Sequence, residues 1–128
     1  DLFDYWVGSY RGQPFCLILT SKLNENSPQH LIPWLSSDGE TYSIDFMIGE
    51  ETLLGKSLGH LTLRKFACFV PKTVSAFIID PAITNPRAIH VYKKAGFVEV
   101  GQFIPSSGSF KGIPHLIMKM TLNQNDSL

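Results

Sequence analysis

The stretch Leu54-Gly55-Lys56-Ser57-Leu58-Gly59 lies between a predicted strand and a predicted helix. Small residues let the backbone approach a ligand closely, and the free N–H groups at a helix start attract anions. Such a segment is suited to phosphate, although an ordinary helix start explains it as well. It is not a nucleotide-binding P-loop, because that motif places a glycine five positions before Gly55, where this chain has Glu50. The glycine spacing does not match a dinucleotide-binding motif either.

A second group of reactive side chains falls within residues 80–97. Asp80 ends an apolar run that predicts a buried strand, and the proline after it breaks the strand. Asn85 precedes a proline, as the N-cap of a helix does. On that helix Tyr92 lies one and two turns from Ala88 and Asn85, so the three share a face.

Together, the two stretches resemble the GNAT superfamily of acetyl-CoA-dependent N-acetyltransferases. The phosphate loop of that family reads Arg/Gln-x-x-Gly-x-Gly/Ala, and this chain matches it at Gly59 but departs from it at Leu54 and Ser57. The second family segment reads Asn-x-x-Ala-x-x-x-Tyr-x-x-x-Gly-Phe. It is matched in register by Asn85, Ala88, Tyr92, Gly96 and Phe97.

Within the superfamily the chain is most similar to aminoglycoside 6′-N-acetyltransferases and to related acetylases of siderophore biosynthesis. The shared features are Ile44-Asp45, with the aspartate nine residues before Leu54, and Asp80-Pro81 before an Asn-x-Arg-Ala-Ile helix start. The resemblance covers roughly residues 3–121. It implies that the usual N-terminal strand and helices of the family are missing from this chain.

Hydrophobic periodicity predicts an α/β domain of three strands, a helix, a strand, a helix and two strands. The resemblance implies a mixed, mostly antiparallel sheet flanked by helices. We expect one acetyltransferase domain over residues 1–122, N-terminally incomplete, and a polar tail over 123–128. The predicted strands are 5–7, 15–19, 42–48, 73–79, 97–104 and 113–122, and the predicted helices are 56–70 and 86–95. The predicted connections are a hairpin over 8–13, a long loop over 23–41 with a short turn near 31–35, and a turn over 49–55.

The resemblance also implies roles for individual side chains. Acetyl transfer to an amine needs a neutral amine, a polarised carbonyl and a protonated leaving thiolate. Asp45 resembles the family's base or ammonium anchor, Tyr92 its proton donor to the CoA sulfur, and Asp80 a second acid facing the amine. Trp34, in the long loop, is expected to form an aromatic wall for a cationic acceptor.

The expected cofactor contacts fall into three groups. Main-chain N–H groups after Asp45 polarise the acetyl carbonyl, the 54–59 stretch holds the pyrophosphate, and one face of the second helix meets the pantetheine arm. These residues are Phe46, Met47, Ile48, Leu54, Gly55, Lys56, Ser57, Leu58, Gly59, Asn85, Ala88 and Tyr92.

Each of these assignments has a structural alternative. Asp45 could be a surface residue of a half-exposed strand, and Asp80 the end of a strand. Tyr92 and Trp34 could be core aromatics, and Asn85 only a helix cap.

The charges of the 128-residue chain sum to zero, with 11 Lys+Arg and 11 Asp+Glu. This balance argues against binding to nucleic acid or to an anionic membrane surface. The order is uneven, since six acids and no Lys or Arg lie between Lys22 and Lys56, and nine bases follow from Lys56 onward. We interpret this as an acidic acceptor side and a basic cofactor side; two solvated faces without partners are the alternative.

Cys16 and Cys68 lie in apolar runs, which predicts reduced core thiols and a cytoplasmic location. Neither they nor the four histidines have metal-ligand spacing, so we expect no metal.

The leading hypothesis is direct acetyl transfer, in a ternary complex, from acetyl-CoA to an amine of a small aminoglycoside-like acceptor, which would confer antibiotic resistance. The alternatives are acyl transfer in hydroxamate siderophore biosynthesis and a non-catalytic acyl-CoA-binding module. An exposed sheet edge would favour a homodimer.

Overall fold

The computed structural model describes residues 4–48 and 58–122. The predicted turn 49–55, the first two residues of the predicted helix 56–70 and the tail 123–128 lie outside this part of the chain. The elements are β1 (Asp4–Tyr10), β2 (Gln13–Lys22), a short 3₁₀ helix (Ile32–Trp34), β3 (Glu40–Ile48), α1 (Leu58–Phe69), β4 (Val74–Ile79), α2 (Pro86–Ala95), β5 (Val98–Phe103) and β6 (His115–Thr121).

The six strands form one sheet in the order β1-β2-β3-β4-β6-β5. Among the strands of the described residues, only β3 and β4 pair in parallel, and α1 lies in the connection between them, as expected for a parallel crossover. The other pairs are antiparallel. The predicted mixed, mostly antiparallel sheet is confirmed.

The two faces of the sheet are covered by different parts of the chain. The α-helices α1 and α2 pack on one face, where Leu63 of α1 and Tyr92 of α2 join a large cluster with Ile44 and Phe77. The other face is covered by the long loop 23–39, whose Leu31 packs in a smaller cluster. All six residues of β4 are buried, since this central strand is covered on both sides.

The ends of α2 follow from its sequence. The Asn85 side chain accepts a hydrogen bond from the Ala88 N–H at 3.2 Å, and Pro86 occupies the first turn. Gly96 ends the helix at φ 115°, a left-handed conformation that glycine adopts without strain. The Phe97 N–H then donates to the Tyr92 carbonyl at 2.9 Å. The predicted helix bounds 86–95 are confirmed.

Two local predictions were wrong. The connection between the first two strands is not the whole of residues 8–13 but the tight turn Arg11-Gly12, with φ 52° and 80°. Two consecutive positive φ values match the twist of a two-residue hairpin, so the strands extend to the turn. Cys16 is buried as expected, but Cys68 is exposed, because it lies on the solvent side of α1. Both thiols are free.

Candidate active site

A cleft opens where β3 and β4 part. Their parallel register ends at Ser43 opposite Ile78, whereas β3 continues along β2 until Ile48 lies opposite Cys16. The gap has a volume of about 330 Å³. It is lined by Leu19, Asp45, Phe46, Met47, Ile79, Asp80, Pro81 and Tyr92.

Alternation along the strands brings side chains from both faces of the sheet to this gap. Ile44 and Ile79 point into the cluster under the helices, so their neighbours Asp45 and Asp80 belong to the face covered by the loop. Tyr92 reaches the gap from α2, on the helix face. The structure therefore brings together Asp45, Asp80 and Tyr92, which the sequence separates by up to 47 residues.

The main chain of β3 also presents donors to the gap. The Leu23 N–H donates to the Thr41 carbonyl at 2.8 Å, so the main-chain groups of Thr41 face β2. The β2–β3 register has no shift, and main-chain groups alternate in direction along a strand. Those of Phe46 and Ile48 therefore face the gap, while those of Met47 face β2 and its side chain forms part of the wall.

The segment that carries Asp80 is fixed by β6. The Leu116 N–H donates to the Pro81 carbonyl at 2.9 Å, and the Ile83 N–H donates to the Pro114 carbonyl at 3.0 Å. Ala82 and His115 form an isolated antiparallel bridge. These bonds hold the chain after β4 against β6 and leave its other side open toward β3.

Both carboxylates of the cleft have a raised pKa. Burial against the apolar walls raises the pKa of Asp45, although its side chain still reaches solvent. Burial and the charge of Asp45 together raise the pKa of Asp80 to about 6, against an opposing effect of His115. Two neighbouring negative charges favour a cation between them or a proton on one of them.

Tyr92 is 7% exposed, and its ring packs against Phe97 at 6.0 Å between centroids. Burial, together with the charges of Asp45 and Asp80, raises the pKa of Tyr92 to about 12. The phenol therefore stays protonated throughout the neutral range and can act as a hydrogen-bond or proton donor.

Two histidines next to the cleft were missed by the sequence reasoning. Nε2 of His30, in the loop 23–39, lies 3.8 Å from Oδ2 of Asp80. His115, at the start of β6, acts on both His30 and Asp80 electrostatically. No sequence signal identifies either residue, because the path of the loop across the sheet sets their positions.

Other predicted site residues lie elsewhere. Trp34 packs against the smaller cluster and against Gly101 on the loop face, not among the cleft-lining residues. The Asn85 side chain caps α2, and Ala88, on the same helix, is half-buried against the larger cluster. Leu58 and Gly59 form the first turn of α1. Leu54, Gly55, Lys56 and Ser57 lie outside the described residues.

Over residues 4–48 and 58–122, no group of three His, Cys, Asp or Glu side chains is placed to hold a metal ion. None of the helices in that part of the chain is long and apolar enough to cross a membrane.

A family model for the acetyltransferase (GNAT) domain matches residues 3–104. Among solved structures, an aminoglycoside N(6′)-acetyltransferase from Legionella pneumophila is 29% identical, with a TM-score of 0.75 over 94% of this chain and 63% of its own. The aminoglycoside acetyltransferase AAC(6′)-Ib, solved with coenzyme A and kanamycin, is 25% identical, with a TM-score of 0.72 over 91% and 65%. The same enzyme solved with paromomycin and acetyl-CoA, at 24% identity and a TM-score of 0.71 over 91% and 63%, supports the fold. The present chain thus spans less than two thirds of these structures.

Proposed function

The chain belongs to the acetyltransferase (GNAT) domain family, and on that basis we propose that it transfers an acetyl group from acetyl-CoA to a primary amine of a small cationic acceptor of the aminoglycoside class. The observation that carries this proposal is the convergence of Asp45, Asp80 and Tyr92 on one cleft between parted strands. The cleft combines two carboxylates, which suit a cationic amine, with a buried phenol, which suits a leaving thiolate.

Acetyl-CoA, when bound, supplies an acetyl group activated as a thioester. The parted edge of β3 fits such a group, because the main-chain N–H groups of Phe46 and Ile48 face the cleft and can donate to a carbonyl oxygen. We propose that residues 54–59 hold the pyrophosphate at the start of α1, with Lys56 adding positive charge. We also propose that Asn85 and Ala88 flank the pantetheine arm.

The carboxylates prepare the amine for attack. At neutral pH a primary amine is mostly ammonium, and Asp45 and Asp80 bind it by charge. Because the pKa of Asp80 is raised to about 6, this carboxylate is a stronger base than an ordinary aspartate and still ionised at pH 7. Removing one ammonium proton leaves a neutral nitrogen beside the polarised carbonyl.

The Tyr92 hydroxyl completes the reaction. Its phenol oxygen would give up a proton to the leaving sulfur of the bound thioester. The resulting phenolate regains a proton from solvent.

Acceptor specificity is tested by thiol release from acetyl-CoA with a panel of amines. We expect turnover with 6′-amino aminoglycosides and none with their 6′-hydroxy counterparts, which serve as matched controls. Turnover confined to N-hydroxylated amines would favour hydroxamate siderophore biosynthesis instead. CoA binding without release on any amine would favour a non-catalytic module and contradict transfer.

The wider setting of this activity is also a proposal. We propose a cytoplasmic location, which two free thiols support, and a role in antibiotic resistance that follows from the acceptor class.

We propose that two copies pair through the β1 edge of the sheet, where Tyr5 and Val7 are exposed. Nucleic acid and membranes are not expected partners. Growth in aminoglycoside with and without the expressed chain tests the resistance role.

A further inference from the structure

His30 lies beside Asp80, and Nε2 of its ring has no hydrogen-bond partner in the described residues. Its Nε2 is 3.8 Å from Oδ2 of Asp80. That nitrogen is buried, and no group in the described residues lies within hydrogen-bond distance of it. The ring is held by stacking on Phe103, with centroids 3.7 Å apart and planes 19° apart.

We propose that His30 is a positioning residue for Asp80 and takes over the proton that this carboxylate removes from the acceptor ammonium group. The inference rests on the proposed function, because it gives the amine proton a route out of the cleft. It adds a residue from the loop 23–39 to the machinery contributed by β3, β4 and α2.

The proton balance has two steps. First, an N–H bond of the ammonium breaks and an O–H bond forms on Asp80, which leaves a neutral amine and a carboxylic acid. Second, that O–H bond breaks and an N–H bond forms at Nε2 of His30, through the lone pair of a neutral imidazole. Asp80 is again a carboxylate, next to an imidazolium that it stabilises, and the imidazolium later gives its proton to solvent.

The surroundings of the pair shift the two pKa values in opposite directions. Burial lowers the pKa of His30, and His115, facing it from β6, lowers it further. The pKa of Asp80 is raised to about 6, with Asp45 facing it from β3 and Tyr92 from α2. These opposite shifts bring the proton affinities of the imidazole and the carboxylate closer together than those of a free histidine and a free aspartate.

The distance of 3.8 Å is longer than the roughly 3 Å of a hydrogen bond. A rotation of the Asp80 carboxyl group closes that difference. Catalytic hydrogen bonds are often long in a free enzyme and shorten when substrate binds.

The kinetic test uses two substitutions and a matched control. His30→Gln keeps a polar side chain that cannot accept a proton, and His30→Ala leaves space beside Phe103 for added imidazole. We expect both to lower kcat about tenfold with little change in the KM for acetyl-CoA, and imidazole in the buffer to restore the His30→Ala rate. His90→Ala, at an exposed position of α2, should show neither the loss nor the response to imidazole.

A second measurement does not need turnover. The NMR titration of the His30 ring is compared between the wild-type protein and Asp80→Asn, and we expect the midpoint to move to lower pH when the carboxylate is removed. Wild-type kcat in His30→Gln, or an unchanged midpoint in Asp80→Asn, would overturn the proposal. If no amine is acetylated at all, the proposed function fails, and the titration alone decides whether the two groups share a proton.

Discussion

The phenol of Tyr92 is the side chain whose chemistry depends most on its surroundings. It is almost fully buried, and two carboxylates raise its pKa in the same direction as burial does. A group with a pKa of about 12 donates a proton only to a stronger base or to an atom gaining charge, as the leaving sulfur does.

We therefore expect Tyr92→Phe to lower kcat by roughly 100-fold, because the ring still fills the core but its proton is gone. The KM for acetyl-CoA and the thermal midpoint should stay close to those of the wild-type protein. Tyr5→Phe, at an exposed position of β1, is the matched control and should leave kcat unchanged. Equal kcat in the two variants would remove Tyr92 from the mechanism.

The raised pKa of Asp80 predicts an effect on stability with a definite sign. The folded state holds the proton more tightly than the unfolded chain, so ionisation of Asp80 destabilises the fold as pH rises from about 4 through about 6. Asp80→Asn should therefore raise the thermal midpoint at pH 8, where the wild-type carboxylate is charged. At pH 4 the gain should disappear, since the carboxyl is then protonated in the folded state. A gain of equal size at both pH values would mean that the charge is not its cause.

At the scale of elements, α2 presents Tyr92 and is started by Asn85. The asparagine caps the helix in the structure, while the family resemblance assigns it to the pantetheine arm. Asn85→Ala should cost about 1 kcal/mol of stability through the lost cap, and Asn85→Ser should cost little. If the side chain also binds the arm, both variants should raise the KM for acetyl-CoA. An unchanged KM in both variants would show that Asn85 only caps the helix.

The loop 23–39 is held on the sheet partly by Trp34, which lies against Gly101 of β5. A Cβ at Gly101 would come within 2.9 Å of the indole ring, so even alanine forces the ring to move. We expect Gly101→Ala to destabilise the protein by about 1–3 kcal/mol and to change tryptophan fluorescence. Gly108→Ala, at a hairpin glycine with nothing within 4 Å but a left-handed φ of 84°, carries backbone strain without a steric clash, so it should leave tryptophan fluorescence unchanged. A wild-type unfolding midpoint and wild-type fluorescence in Gly101→Ala would show that the loop is not packed there.

The sequence predicted those features whose determinants lie within a few neighbouring residues, and it did not predict those that depend on contacts between distant segments. The alternation of β3 and the cap, proline and glycine of α2 are local, and both predictions were confirmed. The parting of β3 from β4 depends on pairing across an intervening helix, and the local sequence pattern did not reveal it. The approach of His30 to Asp80 depends on how a polar loop crosses a sheet face, which no local pattern encodes.

At the scale of the whole molecule, the acidic and basic segments of the sequence do not simply form an acidic side and a basic side of the fold. Of the six acids between Lys22 and Lys56, Asp45 is the one that lines the cleft in the described residues, and Glu40 pairs with Lys22 at 3.0 Å. The second acid of the cleft, Asp80, comes from the basic half of the chain. The acidic character of the cleft is therefore a product of the topology.

The central claim is that this cleft carries out acetyl transfer to a cationic amine, and kcat/KM for a 6′-amino aminoglycoside tests it most directly. It should be measured in the wild-type protein, in Asp45→Asn and in Glu25→Gln, an exposed acid of the same acidic segment. We predict measurable transfer, a loss of roughly 100-fold in Asp45→Asn and wild-type kinetics in Glu25→Gln. Transfer that proceeds equally well in all three proteins would contradict the account.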